Sequence, residues 1–310
     1  MLSIVIPTRL RTDLLRACLA TVVPNAPPGT EIIVVDDASP SGQAAAVARA
    51  FANVQLIRLP KPGGFAKAAN AGIRASRGEI VEMLNDDTEV QAGWADAALR
   101  HFDDPTVAAV APLVLLWPDG NMIDSAGDRY DVGGIAGKRG HGEPLSDRYL
   151  TSCPVFGASA SSGFYRRAAL DEVGLFPECF GSYFEDVDLA FRLQRAGYQT
   201  IYEPASRVLH HGSASFGHQG RRLVEQQSRN EELVFWHNLP ARVLLRSLPR
   251  HLAVLVGKAL RRREEGTLTP WLLGRLRVLS EVPAILRHRG ALRAWTKDTD
   301  VAAWRVDSTH

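Results

Sequence analysis

Short apolar runs alternate with helical patterns over the first hundred residues. The runs are rich in Val and Ile and predict strands, whereas the segments between them repeat apolar residues at helical spacing. The predicted strands are residues 3–7, 31–36, 54–59 and 80–84, and the predicted helices are 12–22, 44–51 and 66–76. Thr12 or Asp13 is expected near the first N-cap. This order predicts an α/β fold with a mostly parallel central sheet and helices on both faces.

The pattern over residues 107–240 is less regular. One further helix is predicted over residues 188–196, with Gly197 as its terminator. Apolar runs predict three more strands, over residues 107–116, 200–203 and 208–211. Residues 117–150 predict loops or a short hairpin, and residues 156–165 are small and polar.

Helical patterns rich in Leu and Arg continue from Arg242 to about Trp295, with interruptions near Gly266 and Pro270. Residues 241–310 hold 14 Lys and Arg against 6 Asp and Glu, whereas the first 240 residues hold 22 against 28. We therefore expect an acidic α/β domain over residues 1–240 and a basic amphipathic helical region over residues 241–310. Because the domain and the helical region carry net charges of opposite sign, we expect them to bind different partners.

The composition is that of an ordinary globular protein. The chain of 310 residues has room for one large α/β domain plus an appendage. Its three cysteines are widely spaced, which fits a reducing compartment and suggests neither a disulfide framework nor a cysteine zinc site. No basic leader with a cleavage site and no apolar stretch of about 18 residues is visible. We therefore expect a cytoplasmic protein.

Two acidic pairs follow predicted strands, where ligands bind in sheets of this kind. Asp86 and Asp87 offer hard oxygen ligands for Mg²⁺ or Mn²⁺ beside a diphosphate; the alternative is a solvated turn or helix cap. Asp36 and Asp37 can accept hydrogen bonds from a nucleobase or ribose; the alternative is an N-cap for the helix that begins near Gln43.

Gly63 and Gly64 open a predicted helix, which permits close approach of the backbone to a ligand and favours phosphate. The segment matches neither a Walker loop nor a GxGxxG fingerprint, so alone it is weak evidence.

Three carboxylates cluster at Glu185, Asp186 and Asp188. Asp188 is placed to cap the helix and to pair with Arg192, four residues later. That leaves Glu185 and Asp186 just before the helix, where a carboxylate can take the proton of an acceptor hydroxyl. His210 follows a predicted strand, and it can ligate a metal, contact a phosphate or be a buried hydrogen-bonded residue.

Six segments in this order resemble family 2 glycosyltransferases with the GT-A fold, a Rossmann-like architecture, and among them the rhamnosyltransferase-like bacterial enzymes of cell-surface polysaccharide synthesis. The segments are IVIPT (4–8), VVDDAS (34–39), GFAKAANAG (64–72), LNDDT (84–88), EDVDL (185–189) and VLHHG (208–212). The resemblance covers roughly residues 2–240. It implies an inverting hexosyltransferase that uses Mg²⁺ or Mn²⁺ and a nucleotide-diphosphate sugar.

The resemblance also implies roles for single residues. Asp87 and His210 are expected to bind the metal, and Asp186 to be the general base. Position 85 is Asn where some members have Asp, so Asn85 is not expected to ligate the metal directly. The residues expected to bind the donor are Pro7, Thr8, Arg9, Asp36, Asp37, Gly64, Lys67, Asn70, Asn85 and Asp86. Those expected on the acceptor side or behind the base are Glu185, Asp188 and Arg192.

The chemistry implied is direct displacement at the anomeric carbon. The divalent ion neutralises the leaving diphosphate as a Lewis acid. Asp186 deprotonates an acceptor hydroxyl, which attacks from the opposite face and inverts the configuration. The first donor candidate is dTDP-rhamnose, followed by UDP-galactofuranose and UDP-glucose, and the acceptor is a glycan or a lipid-linked glycan.

The basic region leaves two alternatives open. Basic amphipathic helices can lie on an anionic membrane, here the inner face of the cell membrane, and bring the active site to a lipid-linked acceptor. The alternative is that these helices pack on the catalytic domain or form a homodimer contact.

Two other functions compete with glycosyl transfer. A nucleotidyltransferase acting on sugar phosphates would usually need a basic, glycine-rich loop near the N-terminus, which residues 6–10 do not offer. A non-catalytic sugar-binding protein would not need Asp87, Asp186 and His210 together. Nucleic-acid binding is not expected, because the main domain is acidic.

Overall fold

The computed structural model describes residues 1–40, 42–212, 220–295 and 306–307. In these ranges the strands are β1 Leu2–Thr8, β2 Glu31–Asp36, β3 Val54–Arg58, β4 Ile80–Leu84, β5 Thr88–Val90, β6 Val107–Leu116, β7 Ile123–Ser125, β8 Asp128–Asp131, β9 Ile135–Lys138, β10 Cys153–Val155, β11 Ser162–Arg166, β12 Gln199–His210 and β13 Val306–Asp307. The α-helices are α1 Thr12–Asn25, α2 Gln43–Arg49, α3 Phe65–Ala75, α4 Trp94–Leu99, α5 Arg167–Val173, α6 Glu185–Arg195, α7 Arg221–Asn238, α8 Ala241–Glu264, α9 Leu268–Arg277 and α10 Val282–Trp295.

The central sheet confirms the predicted α/β architecture. Its strand order is β10-β12-β6-β11-β4-β1-β2-β3. β1 lies between β4 and β2 and is parallel to both, and β3 continues the parallel row beside β2. The carboxyl ends of β1, β2 and β4 therefore meet at one edge, which brings the two predicted acidic pairs to the same side of the sheet.

Two strands differ from the prediction. β11 lies in the segment described only as small and polar, and it runs antiparallel between β4 and β6. β12 is one strand where two were predicted, with an irregular register against β6 between Glu203 and Arg207. Pro204 interrupts the apolar pattern there and has no N–H for the ladder, which explains why the sequence looked like two strands.

Both faces of the parallel row are covered. Val5 packs in one buried cluster with Ile73 of α3, while Ile4 packs in another with Leu15 of α1. Burial on both faces explains why these strands are continuous apolar runs. α3 approaches β1 so closely that a Cβ on Gly72 would lie 2.2 Å from Val5 Cγ1.

One acidic side chain is buried inside the sheet. Glu82 in β4 accepts hydrogen bonds from Trp94 Nε1 at 3.0 Å and Ser162 Oγ at 3.3 Å. Among the described residues, nothing hydrogen-bonds its Oε2. Burial raises the pKa of Glu82 to about 8, so the carboxyl group is protonated at neutral pH.

Residues 117–150 contain the predicted hairpin. β8 and β9 are antiparallel, with Asp128 opposite Lys138, and β13 lies beside β8. β7 instead joins the central sheet through β6.

The C-terminal region is helical as predicted, with a break at Gly266 between α8 and α9. Pro270 lies in the first turn of α9 rather than at a break, a position where proline is tolerated. α9 packs on α7, where Arg275 forms ion pairs with Glu231 and Glu232. In the part of the chain that the structure describes, no helix has both the length and the hydropathy to cross a membrane. The division of the chain at residue 240 stays a prediction.

Candidate active site

The acidic pair after β4 is buried and bridged by one arginine. Asp86 accepts hydrogen bonds from Thr8 Oγ1 at 2.7 Å and from Arg11 Nη2 at 2.8 Å. Asp87 accepts one from Arg11 Nη1 at 2.7 Å. Arg11 is the N-cap residue of α1, where Thr12 or Asp13 was expected, and no side chain caps that helix. Its charge offsets the cost of burying two adjacent carboxylates. The sequence analysis did not identify Arg11.

The two carboxyl groups ionise differently. Burial raises the pKa of Asp86 to about 6, although Arg11 and Thr8 oppose the change. Burial also acts against ionisation of Asp87, but the contacts with His210 and Arg11 outweigh it and lower the pKa to about 2. At neutral pH, Asp87 is the more firmly ionised of the two, as a metal ligand must be.

His210 reaches this pair from the end of β12. Its strand pairs with β5, with His210 opposite Thr88, so the ring lies beside Asp87. Nε2 is 3.2 Å from Asp87 Oδ1, and Nδ1 is 2.9 Å from Asp124 Oδ2. Burial lowers the pKa of His210, but Asp124 and Asp87 outweigh this effect and raise it to about 9.

Asp124 and Lys138 were missed by the sequence analysis. Asp124 lies in β7 and accepts a hydrogen bond from Lys138 Nζ at 2.7 Å. Burial opposes its ionisation, but His210 and Lys138 hold the pKa of Asp124 well below its ordinary value. No local signal marks either residue, because only the pairing of β7 with β6 brings Asp124 beside β12.

The residues present fit a divalent ion. Asp87 Oδ1 is buried, and no described residue forms a hydrogen bond with it, although His210 Nε2 faces it. With Nδ1 directed at Asp124, the neutral imidazole would present Nε2 as a ligand, an arrangement common in metal sites. A cation would then replace the imidazolium proton. Asp87 and His210 are therefore the residues that would hold the metal.

Asp186 lies in the first turn of α6, not just before the helix as expected. Its Oδ2 accepts the Ala160 N–H at 3.0 Å, and its Oδ1 accepts the Val187 N–H at 2.9 Å. Burial raises its pKa, although these backbone N–H groups oppose the change. Phe184, just before the helix, has φ +71°, a left-handed conformation that costs non-glycine residues about 1–3 kcal/mol and is frequent at functional sites.

The loop of residues 159–161 joins Asp186 to the acidic pair. Ala160 donates its N–H to Asp186, and the next residue, Ser161, accepts the Asn85 N–H through its carbonyl oxygen at 2.9 Å. The loop leads into β11, which pairs with β4, so its position is fixed by the sheet. Two segments a hundred residues apart in the sequence are thus held together by backbone groups of two consecutive residues.

Other acids surround Asp186. Glu185 is 4% exposed, and its Oε2 has no hydrogen-bond partner among the described residues. Burial and then the charge of Asp186 raise the pKa of Glu185 well above its ordinary value. Burial and then the charge of Asp186 also raise the pKa of Asp128, which lies in β8. The three carboxyl groups therefore share one buried environment that disfavours their charged forms.

Asp188 and Arg192 form the predicted pair, and Arg192 also contacts the backbone. Arg192 Nε donates to Asp188 Oδ2 at 2.8 Å, while its Nη atoms donate to the carbonyl oxygens of residues 173–175. Asp188 is fully buried within α6, so the prediction that it caps the helix was wrong. The helix starts at Glu185, three residues earlier than predicted, because the left-handed backbone of Phe184 turns the chain just before it.

The two carboxylates that follow the core of β2, Asp36 and Asp37, have different roles. Asp36 is fully buried and accepts hydrogen bonds from Ser39 N at 2.8 Å and Ser39 Oγ at 2.9 Å. It therefore closes its own turn, and we do not include it among residues that touch the donor. Asp37 accepts the N–H groups of Gly63 at 2.6 Å and Gly64 at 3.0 Å. It thereby ties the end of β2 to the start of α3.

The start of α3 is already occupied by protein groups. Phe65 N–H donates to Ser182 Oγ at 3.1 Å and Ala66 N–H to Gly181 O at 2.9 Å, so the expected phosphate contact is not supported. Gly64 has φ +81°, and a Cβ there would lie 2.9 Å from Gly181 O, so the position requires glycine.

The other predicted donor residues differ in exposure. Asn70 is 1% exposed. Its side chain donates a hydrogen bond to the Phe176 carbonyl oxygen and accepts one from the Phe176 N–H. Because these contacts occupy the side chain, we do not include Asn70 among the residues that touch the donor either. Pro7 is buried in β1, Lys67 is half-buried, and Arg9 is exposed just after β1. Lys67 and Arg9 stay predictions.

Comparisons with known proteins agree with this arrangement. The family model described as glycosyl transferase family 2 matches residues 3–174. A pre-mycofactocin glycosyltransferase of Mycobacterium tuberculosis is 31% identical over 210 residues, which cover 67% of this chain and 42% of that protein. An N-acetylglucosaminyl-diphospho-decaprenol L-rhamnosyltransferase of the same organism is 28% identical over 262 residues, covering 74% of this chain and 85% of that one. An uncharacterized protein of Sinorhizobium fredii is 32% identical, with 71% of this chain and 25% of the relative covered. The chain thus spans only a quarter to two fifths of some of these relatives.

Solved structures confirm the GT-A fold. A mannosyltransferase from Pyrobaculum calidifontis in complex with GDP-Man and Mn²⁺ superposes with a TM-score of 0.56 at 19% identity, covering 95% of this chain and 82% of that chain. GalNAc-T7 with UDP, GalNAc and Mn²⁺ superposes with a TM-score of 0.58 at 17% identity, covering 75% of this chain and 48% of that chain.

Proposed function

The chain belongs to glycosyl transferase family 2, and on that premise we propose that it is an inverting enzyme that moves a hexose, with rhamnose the first candidate, from a nucleotide diphosphate to a hydroxyl group of a glycan or lipid-linked acceptor. One observation carries the proposal. Asp87 Oδ1, buried and without a hydrogen bond, faces His210 Nε2 at 3.2 Å, beside the loop that holds Asp186. This arrangement supports a metal position at Asp87 and His210 and a general base at Asp186.

The relatives support the choice of donor and metal. One relative is named a rhamnosyltransferase, and neighbours in structure were solved with GDP-Man, UDP and Mn²⁺. We therefore propose Mn²⁺ or Mg²⁺ as the metal and a dTDP- or UDP-sugar as the donor. Thr8, Asp37, Asn85 and Asp86 border the nucleotide side of the cleft.

In the proposed reaction, these residues have separate roles. When bound, a divalent ion at Asp87 and His210 supplies Lewis-acid stabilisation of the leaving diphosphate. Asp186 takes the proton of the acceptor hydroxyl, and its raised pKa makes it the stronger base. The hydroxyl oxygen then attacks the anomeric carbon from the side opposite the diphosphate, which inverts the configuration.

The test is a donor screen by thermal shift, with and without Mn²⁺, followed by product analysis. A donor that binds the native state raises the unfolding temperature, and the proposal expects this rise to need Mn²⁺ and to be lost in Asp87→Ala. A sugar-binding protein would bind the donor without hydrolysing or transferring it. A nucleotidyltransferase would release pyrophosphate from a nucleoside triphosphate and a sugar phosphate. Either result would replace the proposal.

We also propose that the C-terminal helices hold the enzyme on an anionic lipid surface. One side of these helices packs on the protein through Trp271, Val278 and Ile285. The opposite side leaves large apolar side chains between 44% and 69% exposed. They are Leu245, Leu252, Val256, Leu260, Leu272, Leu273, Leu276, Leu279, Val282 and Leu286.

The spacing and charge of this surface favour a membrane as its partner. On α8, Leu245, Leu252 and Val256 are seven and four residues apart and share one face. Exposed arginines such as Arg246 and Arg261 lie along the same helix. Apolar side chains flanked by arginines suit the interface of an anionic bilayer, and this position would bring the cleft to a lipid-linked acceptor.

A further inference from the structure

A second group of metal-ligating side chains lies behind the helix that carries Asp186. Asp188 on α6, His237 on α7 and His288 on α10 place one carboxylate oxygen and two imidazole nitrogens within 4.8 Å of one another. His237 Nδ1 is 3.7 Å from Asp188 Oδ1, and His288 Nε2 is 3.8 Å from the same oxygen. The three residues come from three helices and meet in the interior.

His237 is the unusual member of this group. It is 6% exposed, and among the described residues neither of its ring nitrogens has a hydrogen-bond partner. Its ring stacks on that of His288, with centroids 4.4 Å apart and planes inclined by 23°. A buried polar group without a partner destabilises the folded state, so a ligand for these nitrogens would be stabilising.

The distances fit a shared cation better than direct hydrogen bonds. Gaps of 3.7 and 3.8 Å are too long for a hydrogen bond between nitrogen and oxygen. The ligand atoms of a tetrahedral zinc ion, with bonds of about 2.0–2.2 Å, lie roughly 3.3–3.6 Å apart. A small inward movement of the side chains would bring the observed gaps to that spacing.

We propose that Asp188, His237 and His288 form a zinc site, separate from the metal position at Asp87 and His210, that fastens the C-terminal helix α10 to the helix carrying the catalytic base. The ion would join α6, α7 and α10 at one point. Its role is structural, because Asp188 is buried behind α6 and does not face the cleft.

The ligand set selects the ion. Two imidazoles and one carboxylate suit zinc, whereas Mg²⁺ and Ca²⁺ need sets rich in oxygen ligands. Arg192 occupies Asp188 Oδ2, so the pocket holds little uncompensated negative charge for a hard cation. The amide of Asn238 also lies here, with Nδ2 2.8 Å from Asp188 Oδ1 and Oδ1 3.4 Å from His288 Nε2.

The test is zinc binding by the full chain, produced without a histidine tag and stripped of metal. Binding is measured by competition with a chromophoric chelator in the Asp87→Ala background, with Mg²⁺ in excess. We expect one zinc equivalent that Mg²⁺ does not displace, and a higher unfolding temperature with zinc. His288→Gln should weaken binding at least about tenfold and abolish the temperature shift. His101→Gln, a histidine paired with Glu203 elsewhere in the fold, is the matched control and should change neither.

Cobalt provides a second measurement that does not depend on the folding of a variant. Co²⁺ bound to the otherwise unaltered Asp87→Ala chain should show the visible absorption of a tetrahedral site, and zinc should remove it. No zinc equivalent in the Asp87→Ala chain, or equal binding by His288→Gln, would overturn the proposal. Neither outcome depends on transfer activity, so the zinc site and the glycosyltransferase proposal can fail separately.

Discussion

His210 Nδ1 lies 2.9 Å from Asp124 Oδ2, and this contact turns the other ring nitrogen toward Asp87. A carboxylate behind a metal-binding imidazole fixes the orientation of the ring and raises its basicity. Asp124 is itself held by Lys138 from the neighbouring hairpin. The proposed metal position therefore depends on residues that do not touch the metal.

Replacing Asp124 tests that dependence. Asp124→Asn is expected to weaken metal-dependent donor binding about 10–100-fold, because the neutral amide no longer supplies the negative charge that orients the ring of His210 and raises its basicity. The measurement is the midpoint of a Mn²⁺ titration followed by binding of the donor. Asp119→Asn, an exposed residue before β7, is the control. An unchanged midpoint in Asp124→Asn would show that His210 does not ligate the metal through Nε2.

The general base is tested by Asp186→Asn. The amide cannot take the proton of the acceptor, so kcat should fall about 10²–10⁴-fold while donor affinity stays largely unchanged. In the unaltered enzyme, activity should decrease as the pH falls through the pKa of Asp186, which burial raises above the ordinary carboxyl value. Asp171→Asn, exposed on α5, is the matched control. Near-normal turnover in a folded Asp186→Asn enzyme would exclude Asp186 as the base.

Glu82 makes stability depend on pH. Its pKa is raised from 4.5 to about 8 in the folded chain, so the folded state binds a proton that the unfolded state releases. Its contribution is complete below the unfolded pKa and is lost as the pH rises toward 8. Relative to Glu82→Gln, the unaltered chain should lose about 1.4 kcal/mol of unfolding free energy per pH unit in that window.

Denaturant unfolding at several pH values measures this difference. Glu82→Gln should become the more stable of the two as the pH rises, and the two curves should run parallel below the unfolded pKa. Parallel curves over the whole range would mean that Glu82 ionises normally in the folded state.

The lipid-facing surface is tested by vesicle flotation. Leu252→Asp combined with Val256→Asp should reduce binding to anionic vesicles more than tenfold, since burying one such side chain contributes about 1.5–3 kcal/mol. Vesicles without anionic lipid should bind the unaltered chain more weakly, by about 1 kcal/mol for each arginine at the surface. Leu150→Asp is the control, because Leu150 is exposed but lies outside the C-terminal helices. A dimer that these substitutions disrupt, with no vesicle binding, would assign the surface to a second copy.

Sequence periodicity predicted the parallel half of the sheet well. β1, β2 and β4 are buried on both faces, so their apolar runs are continuous and their bounds are sharp. β11 was missed because its residues 162–166 begin with Ser and Gly, and a strand between two others can be built from small residues. Its place is decided by β4 and β6, not by its own propensity.

The candidate site was predicted in part. The resemblance to family 2 glycosyltransferases pointed to Asp87, Asp186 and His210, and the structure brings Asp87 and His210 together. Asp124 could not be found from its neighbours in sequence, since its partner is 86 residues away. Asp36 and Asn70 were chosen wrongly for the donor because their local motifs are also turn and helix-packing signals, and burial decides between these roles.

The loop of residues 159–161 has a consequence for how such chains diverge. The backbone N–H of Ala160 donates to Asp186, and the carbonyl oxygen of the next residue, Ser161, accepts the Asn85 N–H. The length of the loop therefore sets the distance between the proposed base and the proposed metal position. Because both contacts use backbone atoms, side chains in the loop can change without breaking them. An inserted or deleted residue would instead change the distance between the proposed base and the proposed metal position.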